Sequence, residues 1–252
     1  MRITAIMNLK GGVAKTTTVV NMAAILASKG KKVLVIDGDS QCNTTEFLLG
    51  NLWGRRYATL ADILEDQRTG KVEIQQTKVA NVFLIAADES LMDLDLTKAE
   101  DGRLNLQCLA ARKAGMETSG CDYVLIDCPP AFSAATAAAL LAADDVIIPM
   151  KLDAFSIRGM DVLFRQIENM RRINPDLTVA GILPTMWYKS PDTELIGEEI
   201  RRAALPLYHH IRLSKTVDKM TIAQRPLLEI SRNSGALRDY RAFVDQYLQE
   251  EA

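Results

Sequence analysis

Short apolar runs rich in Val, Ile and Leu recur along the chain and alternate with longer segments whose apolar residues fall three and four apart. The short runs lack polar alternation, as strands buried on both faces of a parallel sheet do. They predict strands over 3–7, 32–36, 82–86, 123–126, 146–149 and 178–183. The longer segments predict helices over 16–29, 104–117, 133–142, 155–173, 193–204 and 237–249. Within the fourth of these, Ile157, Met160, Leu163, Phe164, Ile167 and Met170 form one apolar stripe with charges between them, so that face belongs to the core. Asn174-Pro175 ends it, because the residue before a proline is pushed out of helical geometry. Strand and helix alternate throughout, and there is no internal repeat or low-complexity linker. The expected architecture is α/β: a doubly wound, mostly parallel sheet flanked by helices, as one domain over 1–252.

Composition narrows this picture only modestly. The chain has 252 residues, 48% of them hydrophobic, with 30 basic and 32 acidic side chains and a formal charge of −2. A chain so balanced is no polycation, and any nucleic-acid contact must come from a local patch. Cys42, Cys108, Cys121 and Cys128 show no C-x-x-C spacing, which favours reduced thiols and a cytoplasmic setting. The first strand begins almost at once, leaving no room for a secretory signal, and no apolar stretch is long enough to span a membrane.

Candidate chemistry starts directly after the first strand. Asn8-Leu9-Lys10-Gly11-Gly12-Val13-Ala14-Lys15-Thr16-Thr17 lies between a buried strand and a helix, the setting of a phosphate-cradling loop. There, backbone N–H groups at the helix N-terminus point at phosphate oxygens. Lys15 would neutralise the β- and γ-phosphates, and the Thr16 hydroxyl would bind Mg²⁺. A glycine-rich turn that merely joins strand to helix is the plainer alternative.

Leu9 and Ala14 occupy the two glycine positions of G-x-x-x-x-G-K-[ST], so the ordinary pattern fails. The string instead resembles the K-G-G-x-x-K-[ST] loop of the ParA/MinD ATPases. That resemblance implies ATP and Mg²⁺ as cofactors and nucleotide contacts from Lys10, Gly11, Gly12, Val13, Ala14, Lys15, Thr16 and Thr17. It also implies that Lys10 reaches the nucleotide of a partner subunit, hence an ATP-dependent homodimer in which Lys10 and Lys15 both serve catalysis. Ala14 departs from the usual glycine. If the backbone is left-handed there, its Cβ costs on the order of 1–2 kcal/mol.

Two further strand ends carry acids. Asp37-Gly38-Asp39-Ser40-Gln41 resembles the family's D-x-D-P-Q with Ser40 for proline, implying that Asp39 positions the attacking water and Asp37 supports the Mg²⁺ shell. Turn and helix-cap duty is the alternative for this pair. Asp127, before Cys128-Pro129-Pro130, suits a carboxylate that holds Mg²⁺ beside phosphates. Residues 128–133 look like the family's second switch.

The resemblance weakens along the second half. Pro184-Thr185-Met186 looks like the loop beside the adenine, which makes Met186 a nucleotide contact. Residues 211–215 are similar to the segment after the last core strand, but Leu207-Tyr208-His209-His210 replaces a common proline-arginine-asparagine string. Two adjacent histidines without a third ligand read as a surface strand end. Between Arg201 and Arg232, seven basic residues stand against only Asp218 and Glu229. This excess suits either a solvated helical face or weak, sequence-independent DNA binding. The family resemblance favours nonspecific DNA, with Arg212, Lys215, Lys219 and Arg225 as contacts, a ParB-like DNA-bound activator and a nucleoid-associated location.

The implied function is that of a ParA/Soj-type partition ATPase whose hydrolysis, stimulated by its partner, segregates plasmid, chromosome or mobile-element DNA. A MinD-like switch is the alternative, but the acidic tail Gln249-Glu250-Glu251 is the wrong charge for anionic lipid. An iron–sulfur carrier would need two suitably placed cysteines, and Cys108 falls in a helical pattern. A sequence-specific repressor would need a helix-turn-helix domain, which the short N-terminus lacks.

Overall fold

The computed structural model describes residues 1–50, 57–65, 73–94 and 96–249. Its strands are β1 (Arg2–Ile6), β2 (Val33–Asp37), β3 (Gln75–Gln76), β4 (Val82–Ile85), β5 (Tyr123–Asp127), β6 (Asp145–Lys151) and β7 (Thr178–Thr185). They form one sheet in the order β3-β4-β2-β5-β1-β6-β7, parallel except for the two-residue edge strand β3. All six predicted strands are present to within two residues. The edge strand escaped prediction because two glutamines carry no apolar pattern.

The helices are α1 (Lys15–Ser28), α2 (Asn43–Leu49), α3 (Leu60–Glu65), α4 (Leu96–Glu100), α5 (Lys113–Thr118), α6 (Ala134–Ala142), α7 (Ala154–Arg171), α8 (Pro191–Arg202), α9 (Lys215–Ala223), α10 (Leu227–Ile230) and α11 (Gly235–Gln249). They cover both faces of the sheet. Ile3, Ala5, Leu34, Ile36, Val124 and Ile126 face one core with α3, α6 and α7, while Ile6, Val33, Val35 and Leu125 face the other with α1 and α11. This alternation with both faces apolar is why the central strands read as unbroken hydrophobic runs. On the second face Tyr240, Phe243 and Tyr247 of α11 are no more than 1% exposed, each contributing about 1.5–3 kcal/mol of burial.

The predicted stripe of α7 buries Leu163, Ile167 and Met170, with Met160 and Phe164 partly buried; the side chain of Ile157 lies outside the described residues. The predicted helix over 104–117 is corrected. The segment instead makes turns, a 3-10 turn at Ala110–Arg112 and the short α5. Asn105 is the physical reason: its side-chain oxygen accepts from the Gln107 amide at 3.1 Å while its own amide is drawn to Leu64 O at 2.8 Å. Both bonds compete with helix formation. Cys108 is therefore buried in a turn, not on a helix. Helix α8 starts before Thr193 because Ser190 and Thr193 form a reciprocal capping box with Pro191 inside the first turn.

Register is what positions the site. Strand β5 lies between β1 and β2, pairing Asp127 with Ile6 on one side and with Asp37 on the other. Two carboxylates thus stand abreast at the C-terminal edge of the sheet, next to the loop that leaves β1.

Candidate active site

A cavity of about 490 Å³ opens at that edge, lined by Gly11 to Thr17, Asp39, Gln41, Met186 and residues of α9. Its floor is the glycine loop. Gly12 and Ala14 both adopt left-handed backbone, with φ of 70° and 68°. This curls the chain so that α1 begins at Lys15 with no side chain capping it. First-turn amides of a helix need an acceptor, and here the cavity supplies room for an anionic one.

Lys15 is 7% exposed and its ammonium reaches Lys10 O at 3.2 Å. Burial lowers its pKa, opposed by the charges of Asp127 and Asp39. A phosphate placed there would stabilise the buried cation. The Thr16 hydroxyl donates to Asp127 Oδ2 at 2.7 Å, and the Thr44 hydroxyl donates to the same oxygen at 2.6 Å. Asp127 Oδ1 is buried without a hydrogen-bond partner. An orphaned carboxylate oxygen beside a threonine hydroxyl and a phosphate cradle fits a hard divalent cation.

Asp37 is fully buried. Its Oδ2 accepts from the Thr45 amide and hydroxyl, each at 2.7 Å, and its Oδ1 accepts from the Asp39 amide at 3.1 Å. Burial, then the charge of Asp127, raises its carboxyl well above the ordinary range, and Asp127 is raised by burial too. A cation nearby would relieve both. Gly38 fits between the acids because a Cβ would stand 3.0 Å from Asp127 O. Asp39, half-buried, faces the cavity and accepts from the Gln41 amide at 3.0 Å.

Lys10 is not among the residues that line the cavity. Its ammonium pairs with both carboxylate oxygens of Asp153, at 3.0 and 3.1 Å, and its side chain is 41% exposed. The loop below it is anchored by Asn8, whose amide donates to Pro149 O at 2.8 Å and whose oxygen accepts from the Lys10 amide. At the far end, Met186 takes a left-handed φ of 48°, and Thr185 Oγ1 donates to Val13 O at 3.1 Å, tying β7 to the loop.

The predicted residues Gly11 to Thr17, Asp39 and Met186 thus line one cavity, while Lys10 stands outside it and the buried Asp37 and Asp127 lie behind its wall, bonded to Asp39 and Thr16. The basic candidates divide. Arg212 borders the cavity, but its guanidinium is clamped by buried Asp239 at 2.7 and 2.9 Å. Arg225 pairs with Glu229 at 2.9 Å. Lys215 and Lys219 are exposed on α9. Sequence reasoning missed Thr44 and Thr45, which orient the acids from α2, and Val217, Asp218 and Thr221, which make α9 a cavity wall. Both helices are too short for periodicity to announce; the polar pair after Gln41 was the one available signal.

The chain matches the AAA domain family over residues 1–179. It is 33% identical over 204 residues to the chromosome partitioning protein ParA of Caulobacter vibrioides, an alignment covering 80% of this chain and 76% of that one. Among solved structures, apo McdA of Cyanthece superposes with a TM-score of 0.83 at 25% identity, covering 98% of this chain and 99% of that one. Cobyrinic acid a,c-diamide synthase of Mycobacterium smegmatis, with bound ADP and magnesium, superposes with a TM-score of 0.81 at 27% identity, covering 100% and 95%.

Proposed function

Since this chain belongs to the ParA family of phosphate-loop ATPases, we propose that it is an ATP-dependent dimerising switch that binds nonspecific DNA and hydrolyses ATP when a ParB-like partner stimulates it. The observation that carries this reading is the division of labour between its two lysines. Lys15 is buried at the cavity floor, whereas Lys10, from the same loop, stands outside it and half-exposed. A cation so placed serves a nucleotide held by a second copy better than its own.

In this reading the first-turn amides of α1 and Lys15 hold the phosphates, while Met186 and the wall of α9 enclose the base end. Thr16 and Asp127 hold Mg²⁺, with Asp37 fixing α2 and the Asp39 amide behind them. The Mg²⁺ that these residues would hold would supply positive charge against the negative charge that builds up on the phosphates. Asp39 orients the attacking water, and Lys10 of a partner copy would neutralise the same phosphates from across the interface. Lys215 and Lys219 supply the exposed charge for DNA, on a helix that also walls the nucleotide cavity. No helix among the described residues is long and apolar enough to cross a membrane, and the apolar face of α11 is buried against α1.

Two variants test this. Lys15→Ala is expected to lose nucleotide binding, whereas Asp39→Ala is expected to bind ATP, dimerise and stay on DNA without turnover. Nucleotide titration, light scattering, DNA retention and phosphate release read these four properties. An Asp39→Ala protein that hydrolyses ATP at the wild-type rate would overturn the assignment.

A further inference from the structure

Asn21 is the odd residue of α1. Its neighbours Val19, Val20, Met22, Ala23, Ile25 and Leu26 are aliphatic and buried, and Asn21 itself is 1% exposed. A buried amide is tolerated only when its polar atoms find partners. Here they do, and the partners lie on three different elements. The side-chain nitrogen donates to Thr17 O at 2.8 Å in the first turn of α1 and to Met220 Sδ at 3.2 Å on α9. The side-chain oxygen accepts from the Leu227 amide at 3.0 Å, at the start of α10. Thr17 and Thr221 both border the nucleotide cavity.

A second tether joins α9 to the opposite side of the site. Gln224, the C-cap of α9 at a left-handed φ of 47°, donates to Glu46 at 3.0 Å. Glu46 lies on α2, whose Thr44 and Thr45 hold Asp127 and Asp37. Helix α9 therefore faces the cavity with Val217, Asp218 and Thr221 and presents Lys215 and Lys219 to solvent. It is hydrogen-bonded both to the phosphate-binding helix and to the helix behind the carboxylates.

We propose that Asn21 is a positioning residue that, together with the Gln224–Glu46 bond, transmits the state of the phosphate-loop end of the cavity, occupied by a di- or a triphosphate, to α9 and α10 and so to the basic face of α9. The proposal rests on the nucleotide reading of the cavity, and on the DNA reading only for its last consequence. Direct contact with the base would protect α9 equally with ADP and ATP. The relay is therefore read as the difference between them.

The experiment is amide hydrogen exchange over residues 215–230 with Mg²⁺ and either ADP or a non-hydrolysable ATP analogue, in wild type, Asn21→Ala and Gln224→Ala. The wild-type Leu227 and α10 amides are expected to differ between the two nucleotides by at least about fivefold, the low end of ordinary coupling. Asn21→Ala is expected to abolish that difference while binding the analogue within about threefold of wild type, a coupling loss without an affinity loss. Gln224→Ala, at the surface, is expected to reduce it and decides the matter if Asn21→Ala does not fold. Variants that keep the wild-type difference, or that lose it only in step with nucleotide affinity, overturn the relay. If the exchange difference depends on Asn21 but no nucleotide changes DNA retention, the relay stands and the DNA reading falls.

Discussion

Ala14 carries a methyl group into backbone geometry that L-residues avoid, and the loop around it needs that geometry to aim the amides of α1. The left-handed conformation costs on the order of 1–2 kcal/mol for a residue with a Cβ, partly offset because glycine loses about 0.4–1 kcal/mol more chain entropy on folding. Ala14→Gly should therefore raise stability by up to about 1.5 kcal/mol, seen as a higher unfolding midpoint, and should tighten ATP binding in calorimetry. An unchanged midpoint and affinity would show that the surrounding loop already absorbs the strain. The substitution was legible in the sequence as a departure from glycine; its consequence depended on φ, which only the folded loop supplies.

At the scale of elements, the junction between β7, the segment leading to α9, and α11 is held by one carboxylate. Asp239 of α11, 2% exposed, accepts from the Arg212 amide at 3.0 Å and from Nε and Nη2 of its guanidinium, with His209 at 3.6 Å. Burial raises the Asp239 carboxyl, but hydrogen bonds from the Arg212 side chain and backbone, with the Arg212 and His209 charges, more than offset it and leave it below the usual range. A depressed folded value means that this stabilisation is present above the unfolded carboxylate value near 4 and disappears as pH falls through the folded value. Asp239→Asn should cost about 1.5–3 kcal/mol at neutral pH, with the gap to wild type closing below about pH 4. Chemical denaturation across that range measures it. The same pair explains why counting charges between 201 and 232 overstated the basic excess: the acid that neutralises Arg212 lies outside that window. Short helices of mixed polar and apolar residues, such as α2 and α9, were not legible because they show too few turns for a periodic signal, whereas α1, α7 and α11 were by their length and α6 by its unbroken alanine-leucine run.

For the molecule as a whole, the formal charge of −2 means that the DNA binding proposed above would depend on a local surface. Each phosphate neutralised contributes a slope of about −0.9 to log affinity against log salt. Lys215→Ala and Lys219→Ala should each flatten that slope by about 0.9 in the ATP-bound protein. Arg212→Ala should change it little, because its charge is already satisfied by Asp239. Retention on duplex DNA over a salt series separates these outcomes, and equal slopes for all three variants would place the DNA surface elsewhere.

The sequence by itself determined the parts of this protein that are local in the chain. A buried strand followed by Lys10 to Thr17, and two more strands ending in Asp37 and Asp127, specify a phosphate cradle and carboxylates because amides and acids at strand ends need no distant partner to be there. Tertiary structure decided everything that depends on which elements become neighbours. Strand order set Asp127 against Asp37 and raised both carboxyls by burial. Packing brought Asp153 to Lys10 and Asp239 to Arg212, and made α9 at once a wall of the cavity and a ligand of Asn21. Such contacts join residues far apart in the chain, and their energies depend on distance and burial, which exist only once the sheet has assembled.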